Sequence, residues 1–295
     1  MMRRFVKNIL IFLFGLIIYF LIILIINSII IYNISDNIHK SNILIVGDSH
    51  AAHALNPDLF SSALNLSQGA EPYIITYWKL KATLDDVDPD TLIIGFNHYN
   101  ISGVNDLKFF DDRWSSKMFE RSYLIEDFGS IRNLIKIDYL QYYNVIFRNL
   151  CLLPHIDHVN YIGRYKASDN RSYVSNSKER ILRHYYISDS NQADISTVNV
   201  SFLDSIIEIC LVRDIVPVLV EAPVHISYYN KIPSEYKSSY DKLCLQLKKK
   251  NNIMIVRSDS LDYDDERFLD SDHLNKLGSD YFTRYVVDCL NSNKD

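Results

Sequence analysis

A serine near the start of this 295-residue chain and an aspartate and a histidine close together near its end sit in settings that would let them act together. Ser49 follows Asn42-Ile43-Leu44-Ile45-Val46-Gly47-Asp48, a branched apolar run that stops at a glycine and reads as a buried strand feeding a sharp turn. If a helix begins there, the Ser49 hydroxyl faces the crevice at the carboxyl edge of a parallel sheet, beside backbone N–H groups that favour developing negative charge. A serine nucleophile needs a base, and the base needs a group that fixes its tautomer. The segment Phe268-Leu269-Asp270-Ser271-Asp272-His273 offers both. At i and i+3 of a helical turn, Asp270 and His273 project to one side. Asp272 adjoins His273 directly, and adjacent side chains on a helical turn diverge, so Asp270 is the expected partner. Taken alone, Gly47-Asp48-Ser49 is an ordinary turn, with Asp48 pinning the loop.

Acyl chemistry also needs donors for a tetrahedral oxyanion. Ser49 offers its own N–H, Gly69 an N–H that no side chain shields, and Asn97 a side-chain amide, the last two at predicted strand ends. His50 and His98 each adjoin one of these residues and could contact substrate; hydrogen-bonded structural roles are the simpler expectation. Glu221 and His225 follow another strand, where a turn role is expected.

The elements that must position these groups follow an α/β rhythm. Asn56-Pro57 predicts a helix through about Leu64, Ala63 to Gly69 a short strand with its turn, Tyr73 to Leu84 a helix, and Thr91 to Asn97 a third strand with its turn. Residues from about 103 to 195 are rich in Tyr, Phe, Asn and charge, with a helical pattern around Ile131 to Leu150 and a polar tract at Ser168 to Ser177; they read as a mostly helical insertion. Helices over about 198–213 and 235–250 then lead into the strands Val216 to Val220 and Ile253 to Val256. A polar loop, Asp259 to Asp272, precedes a last helix over about 273–289. Five strands alternating with helices imply a doubly wound parallel sheet. The last loop follows the fifth strand, so His273 would reach the same sheet edge as Ser49.

The bulk composition narrows the functional classes. A net charge of -5 supplies no basic field for a nucleic-acid backbone. Cys151, Cys210, Cys244 and Cys289 are widely spaced, without the ligand pattern of a zinc site, and no metal is expected. No charge interrupts Asn8 to Ser35, and Ile9 to Ile26 is apolar throughout, a helix of about 27 Å that matches the hydrocarbon thickness of a bilayer. The run exceeds a signal-peptide core and lacks a small-residue cleavage site, so an uncleaved anchor is expected. Arg3, Arg4 and Lys7 precede it and the first charge after it is Asp36. The positive-inside rule therefore puts the amino terminus in the cytoplasm and the rest outside. The organisation expected is an anchor and stalk over 1–40 and a catalytic domain over 41–295.

In their order, Gly47-Asp48-Ser49, Gly69, Gly95-Phe96-Asn97 and Asp270 to His273 resemble the four sequence blocks of the SGNH (GDSL-type) hydrolase superfamily. The resemblance spans about residues 42–290 without the insertion. It implies a three-layer α/β/α, flavodoxin-like fold with a five-stranded parallel sheet, a Ser49–His273–Asp270 triad, an oxyanion hole of Ser49, Gly69 and Asn97, and no metal or organic cofactor. His98 departs from the family, which often has Asp after the third-block Asn. The anchor and His273-Leu274-Asn275 with Gly278 resemble the branch that modifies cell-envelope polymers, which includes polysaccharide O-acetyltransferases and esterases and the teichoic-acid D-alanylation acyl-transfer protein. That resemblance implies an envelope polysaccharide or other acylated glycan as substrate and a membrane-bound exporter of acyl groups as partner. A catalytically inactive membrane-tethered scaffold or glycan-binding protein is the alternative.

Overall fold

A computed structural model describes residues 2–35, 38–109, 111, 113–125, 139–154, 162–169, 176–258 and 263–292. The chain divides into two compact units, Met1–Ile38 with Phe109–Tyr161, and His39–Lys108 with Ile162–Asp295. In chain order the elements are α1 (Met2–Ser35), β1 (Ile43–Val46), α2 (Ser49–Ala54), β2 (Ala63–Asn65), α3 (Tyr73–Val87), β3 (Thr91–Gly95) and α4 (Val104–Leu107). There follow α5 (Ser115–Ser122), α6 (Tyr139–Phe147), α7 (Ser177–Tyr185), β4 (Tyr186–Ser188), β5 (Asn191–Gln192) and α8 (Val198–Val212). The chain closes with β6 (Val216–Val220), α9 (Ile226–Tyr229), α10 (Ser234–Asn251), β7 (Met254–Val256) and α11 (Lys276–Ser292).

The second unit is built on a five-stranded parallel sheet in the order β2-β1-β3-β6-β7. The inner strands β1, β3 and β6 are buried on both faces over most of their length, which is why they read as apolar runs rather than as alternation, whereas the edge strand β2, Ala63-Leu64-Asn65, is half-buried at its first two residues. Ile45, Ile93, Val218, Val220 and Val256 pack with Ala51 and Ala54 of α2 and Phe282 and Val286 of α11. Residues one position along each strand point to the opposite face, where α3 and α8 lie against each other, giving three α/β/α layers. The order reverses between β1 and β3, and open α/β sheets bind ligands in the crevice at such a reversal. Register aligns the strand ends: Val46 pairs with Ile94, Gly95 with Val220, and Val220 with Val256. Residues just beyond those ends, Ser49, Asn97 and Ala222 among them, therefore share one edge.

Close approach at that edge demands glycine. Gly47 has φ +143°, and a Cβ on Gly95 would lie 2.8 Å from the Ala51 Cβ. Gly95→Ala should therefore push α2 off β3 and cost about 1–3 kcal/mol, as overpacking does. A lowered urea midpoint with an unchanged m-value is the expected readout, and an unaltered midpoint would contradict this packing.

Two local expectations are corrected. Asn56-Pro57 opens only a single 3-10 turn, Pro57–Leu59, because the chain must be extended again at Ala63 to pair with Ile43. Asn56 Oδ1 still caps it, accepting from the Asp58 N–H at 3.1 Å. The last helix begins at Lys276, not His273, because Phe268 and Leu274 form an antiparallel bridge and Asn275 Oδ1 accepts from the Gly278 N–H at 3.0 Å.

The expected insertion is helical at α4, α5, α6 and α7 and adds a β4–β5 hairpin. Parts of it, residues 126–138, 155–161 and 170–175, lie outside the described residues, as do 36–37 of the stalk and 259–262 of the polar loop. Within the first unit, α1 is long and apolar enough to cross a membrane, with a mean hydropathy of 3.4 over its most apolar window. Cys210 and Cys244 are buried and Cys151 and Cys289 half-buried, all four as free thiols.

Candidate active site

The turn after β1 is held by Asp48, which caps α2. Its Oδ1 accepts from the His50 N–H at 2.8 Å and its Oδ2 from Asn100 Nδ2 at 2.9 Å. Ser49, the first residue of α2, is left half-buried at the sheet edge. A Cβ on Gly69 would stand 3.9 Å from the Ser49 Cβ, so the two backbones face each other across the edge. The Gly69–Ala70 turn is fixed from outside by Lys108, whose buried ammonium donates to Ala70 O at 2.8 Å and Asn105 Oδ1 at 2.7 Å. Asn97, two residues past β3, donates one amide N–H to Ala222 O at 2.7 Å, while the Ala222 N–H donates to its Oδ1 at 3.3 Å. An amide carries two donors, so a second N–H remains.

Asp270 and His273 meet, though not in a helical turn. The Asp270 carboxylate closes an Asx-type turn, Oδ1 accepting from the N–H groups of Asp272 at 3.1 Å and His273 at 2.9 Å. The same carboxylate lies 3.0 Å from His273 Nδ1, and Arg180 donates to it at 2.8 Å. Burial opposes ionisation of Asp270, but the His273 hydrogen bond, the His273 charge and Arg180 outweigh it and hold the carboxyl below the usual range. His273 Nε2 is buried with no hydrogen-bond partner. The ring packs 4.9 Å from that of His53 and 5.4 Å from that of His50, both on the helix that Ser49 begins. The Ser49 hydroxyl thus does not bond to Nε2 in this structure; such bonds are often long without substrate and tighten when it binds.

Asp272 also approaches His273, which the divergence argument did not anticipate. Its fully buried Oδ2, without a hydrogen bond, is 3.8 Å from His273 Nε2 and 3.9 Å from the Nε2 atoms of His50 and His184. Burial raises its pKa against the pull of His273 and His50. Asp270, Asp272 and His273 bring ligand atoms within 4.8 Å of one another, as a cation site would. However, the Arg180 guanidinium already bridges the carboxylates, 2.8 Å from Asp270 and 3.4 Å from Asp272, and takes the place of a cation.

The surrounding histidines are sorted by their neighbours. Burial depresses His184 well below its ordinary pKa, with His50 and Arg180 adding to the effect, and Tyr228 OH holds its Nδ1 at 2.6 Å. Burial, His273 and Lys166 lower His53 to about 3. His50 is the exception: burial would lower it, yet Asp48, with a hydrogen bond at 3.1 Å, and then Asp272 and Asp270 raise it. A raised folded pKa stabilises fully below the unfolded value near 6.5 and is lost as pH rises through the folded value. The advantage of the native protein over His50→Gln in thermal midpoint should therefore shrink as pH climbs from 6.5; an advantage constant with pH would remove the ion pair from the account. His98 belongs to another cluster, 3.4 Å from Glu221 and stacked on Tyr240, and burial and Arg257 lower it to about 4. Glu221 is buried there, and His225 caps α9 while its Nε2 meets Asp265 at 2.9 Å.

Several neighbours carried no sequence signal. Arg180 and His184 come from α7, and His184 stacks on Tyr99 at 4.1 Å. Residues 162–169 form a strap, with Arg164 N–H donating to Ser67 O at 3.0 Å, Lys166 N–H to Ala52 O at 2.8 Å, and Ser168 O accepting from the Lys276 N–H at 2.9 Å. The strap brings the Lys166 ammonium within 3.9 Å of a Cβ placed on Gly69, beside Ser49.

The fold and this edge define a doubly wound α/β protein with a serine, a histidine–carboxylate pair and candidate oxyanion donors around its strand reversal. No protein-family model and no curated protein matches the sequence. Among solved structures, the chain is similar to one from Bacteroides fragilis, provisionally assigned as an acylhydrolase, at 10% identity and TM-score 0.43 over 88% of this chain and 92% of that one. It is also similar to a Streptococcus pneumoniae protein provisionally described as a platelet activating factor, at 12% identity and TM-score 0.45 over 97% and 99% of the two chains.

Proposed function

We propose that the chain is a membrane-anchored, extracytoplasmic serine acyl esterase or O-acyltransferase acting on a cell-surface polysaccharide, most simply on its O-acetyl groups. The observation that carries the reading is the Asp270–His273 pair, whose buried, unpartnered Nε2 belongs to a ring packed against α2. In this reading Ser49 Oγ attacks the ester carbonyl while its proton passes to Nε2. The oxyanion accepts from the N–H groups of Ser49 and Gly69 and the second amide N–H of Asn97. As the C–O bond breaks, His273 returns the proton to the leaving alkoxide. Water or a sugar hydroxyl then attacks the acyl-enzyme, giving its proton to Nε2, and Ser49 leaves with that proton. Asp270 holds the Nδ1–H tautomer throughout and stabilises the transient imidazolium.

The extracytoplasmic placement rests on Arg3, Arg4 and Lys7 before α1 and on the apolar length of α1. Transfer would further require a membrane partner that delivers acyl groups across the bilayer. A non-catalytic scaffold is the second reading, favoured by the missing hydrogen bond between Ser49 and Nε2. Surface-polysaccharide acetyl content, measured by mass in cells carrying the native chain or Ser49→Ala, separates these. Loss of acetyl in the variant means transfer, gain means hydrolysis, and identical content with both chains present at equal level supports the scaffold.

A further inference from the structure

The first unit contains, besides α1, a second apolar segment with no evident place in water. From Tyr139 to Pro154 the sequence carries one charge, Arg148. Its α6 helix passes into a wider π-type turn, Arg148–Leu152, before Leu153 and Pro154. Tyr142 and Val145 face inward, with Tyr142 edge-on to Phe119 of α5 at 5.4 Å, while Leu140, Tyr143, Phe147 and Leu153 are exposed. Leu140 is 77% exposed and Leu153 58%, a cost for a surface in water and none for one in lipid.

What places the segment is its contact with α1. Asn27, the first polar residue after the apolar run of α1, is fully buried, and the two N–H groups of its amide are shared among the carbonyls of Asn149 at 3.0 Å, Leu150 at 2.9 Å and Leu153 at 3.0 Å. Tyr19 OH donates to Leu152 O at 2.7 Å, and the rings of Phe20 and Phe147 pack edge-on at 5.5 Å. The carbonyls at a helix end have no intrahelical partner, and in hydrocarbon each must find one. An asparagine on an apolar helix faces the same demand. Each group here supplies the other. Counted from Ile9 along α1, Tyr19 and Asn27 lie about 15 Å and 27 Å in, so the contact covers the outer half of a hydrocarbon core about 30 Å thick.

We infer that residues 139–153 lie in the outer leaflet beside α1, with Leu140, Tyr143, Phe147 and Leu153 facing lipid acyl chains. The inference rests on the proposed anchor. Arg148, exposed at the break in the helix, reaches outward by snorkelling to lipid phosphates. Held within one leaflet, the segment makes the membrane part of the protein a spanning helix with an interfacial companion.

The test uses the full chain in nanodiscs of phosphatidylcholine and phosphatidylglycerol, with Cys151 and Cys289 changed to serine. An environment-sensitive fluorophore is placed through Ile17→Cys on α1, or through Tyr143→Cys or Leu153→Cys on the segment. Lipids carrying a nitroxide on the acyl chain should abolish most of the fluorescence at all three positions, and aqueous iodide should leave it intact. Quenching by lipid at 17 but by iodide at 143 and 153 would leave the anchor standing and overturn the inference. Protection from both quenchers at 143 and 153 would also overturn it, by showing a protein cover. Iodide quenching at 17 would remove the anchor itself.

Discussion

Ser49→Ala lowers turnover of a small acyl ester such as p-nitrophenyl acetate by on the order of 10⁴-fold or more, while circular dichroism and the thermal midpoint stay at native values. The separation of activity from stability follows from local structure. The cap of α2 is Asp48, not Ser49, and the turn before it is held by Asp48 and Asn100, so removing one half-buried hydroxyl leaves every support of the edge in place. In the proposed mechanism the loss is large because the variant has no hydroxyl with which to form the acyl-enzyme, leaving only the residual catalysis that oxyanion donors and binding supply. Activity within tenfold of native in the alanine variant would contradict the mechanism, whatever the fold.

Asp270→Asn should cost on the order of 10⁴-fold in kcat, the loss that follows when a base is held in the wrong tautomer. The substitution keeps the shape. Asparagine Oδ1 can still accept from the Asp272 and His273 N–H groups, so the Asx turn survives. What changes is the face towards Nδ1, 3.0 Å away, where an amide N–H can replace a carboxylate oxygen. An N–H donating there makes Nδ1 an acceptor and leaves Nε2 protonated, unable to take a proton from Ser49, and Arg180 loses the acceptor it has at 2.8 Å. Asp272 does not rescue the variant, because its nearest approach to the ring is at Nε2, 3.8 Å away, not at Nδ1. Kinetics over a pH series, alongside a structural check by circular dichroism, read the effect; a variant with native kcat would assign the orienting role elsewhere.

The sheet was legible because buried parallel strands write themselves as continuous apolar runs, and glycines mark where β1 and β3 must approach α2 and each other. Ser49 and Asn97 could be located for the same reason, each lying just past such a run, while Gly69 was marked only by the glycine turn after the short strand Ala63-Leu64-Asn65. The spacing of Asp270 and His273 foretold their contact, but not how it is made. Positions i and i+3 suit a helical turn and an Asx turn alike, and the bridge between Phe268 and Leu274 decides for the second. Arg180, His184 and Lys166 were illegible because the segments that carry them have no periodicity tying them to the sheet. The burial of Asp272 among three imidazoles is equally non-local, since His50, His184 and His273 come from three separated stretches. The second apolar segment of the first unit was hidden too: a helix of the length of α6 is far too short to span a membrane and shows its setting only through Asn27 and Tyr19.

Reaction of the full-length chain with a fluorophosphonate, followed by peptide mapping, measures directly whether Ser49 is activated by His273. The account predicts one adduct, on Ser49, that disappears in His273→Ala while the variant remains folded. No adduct on the folded native chain, or an adduct on Ser49 that survives the loss of His273, would contradict it.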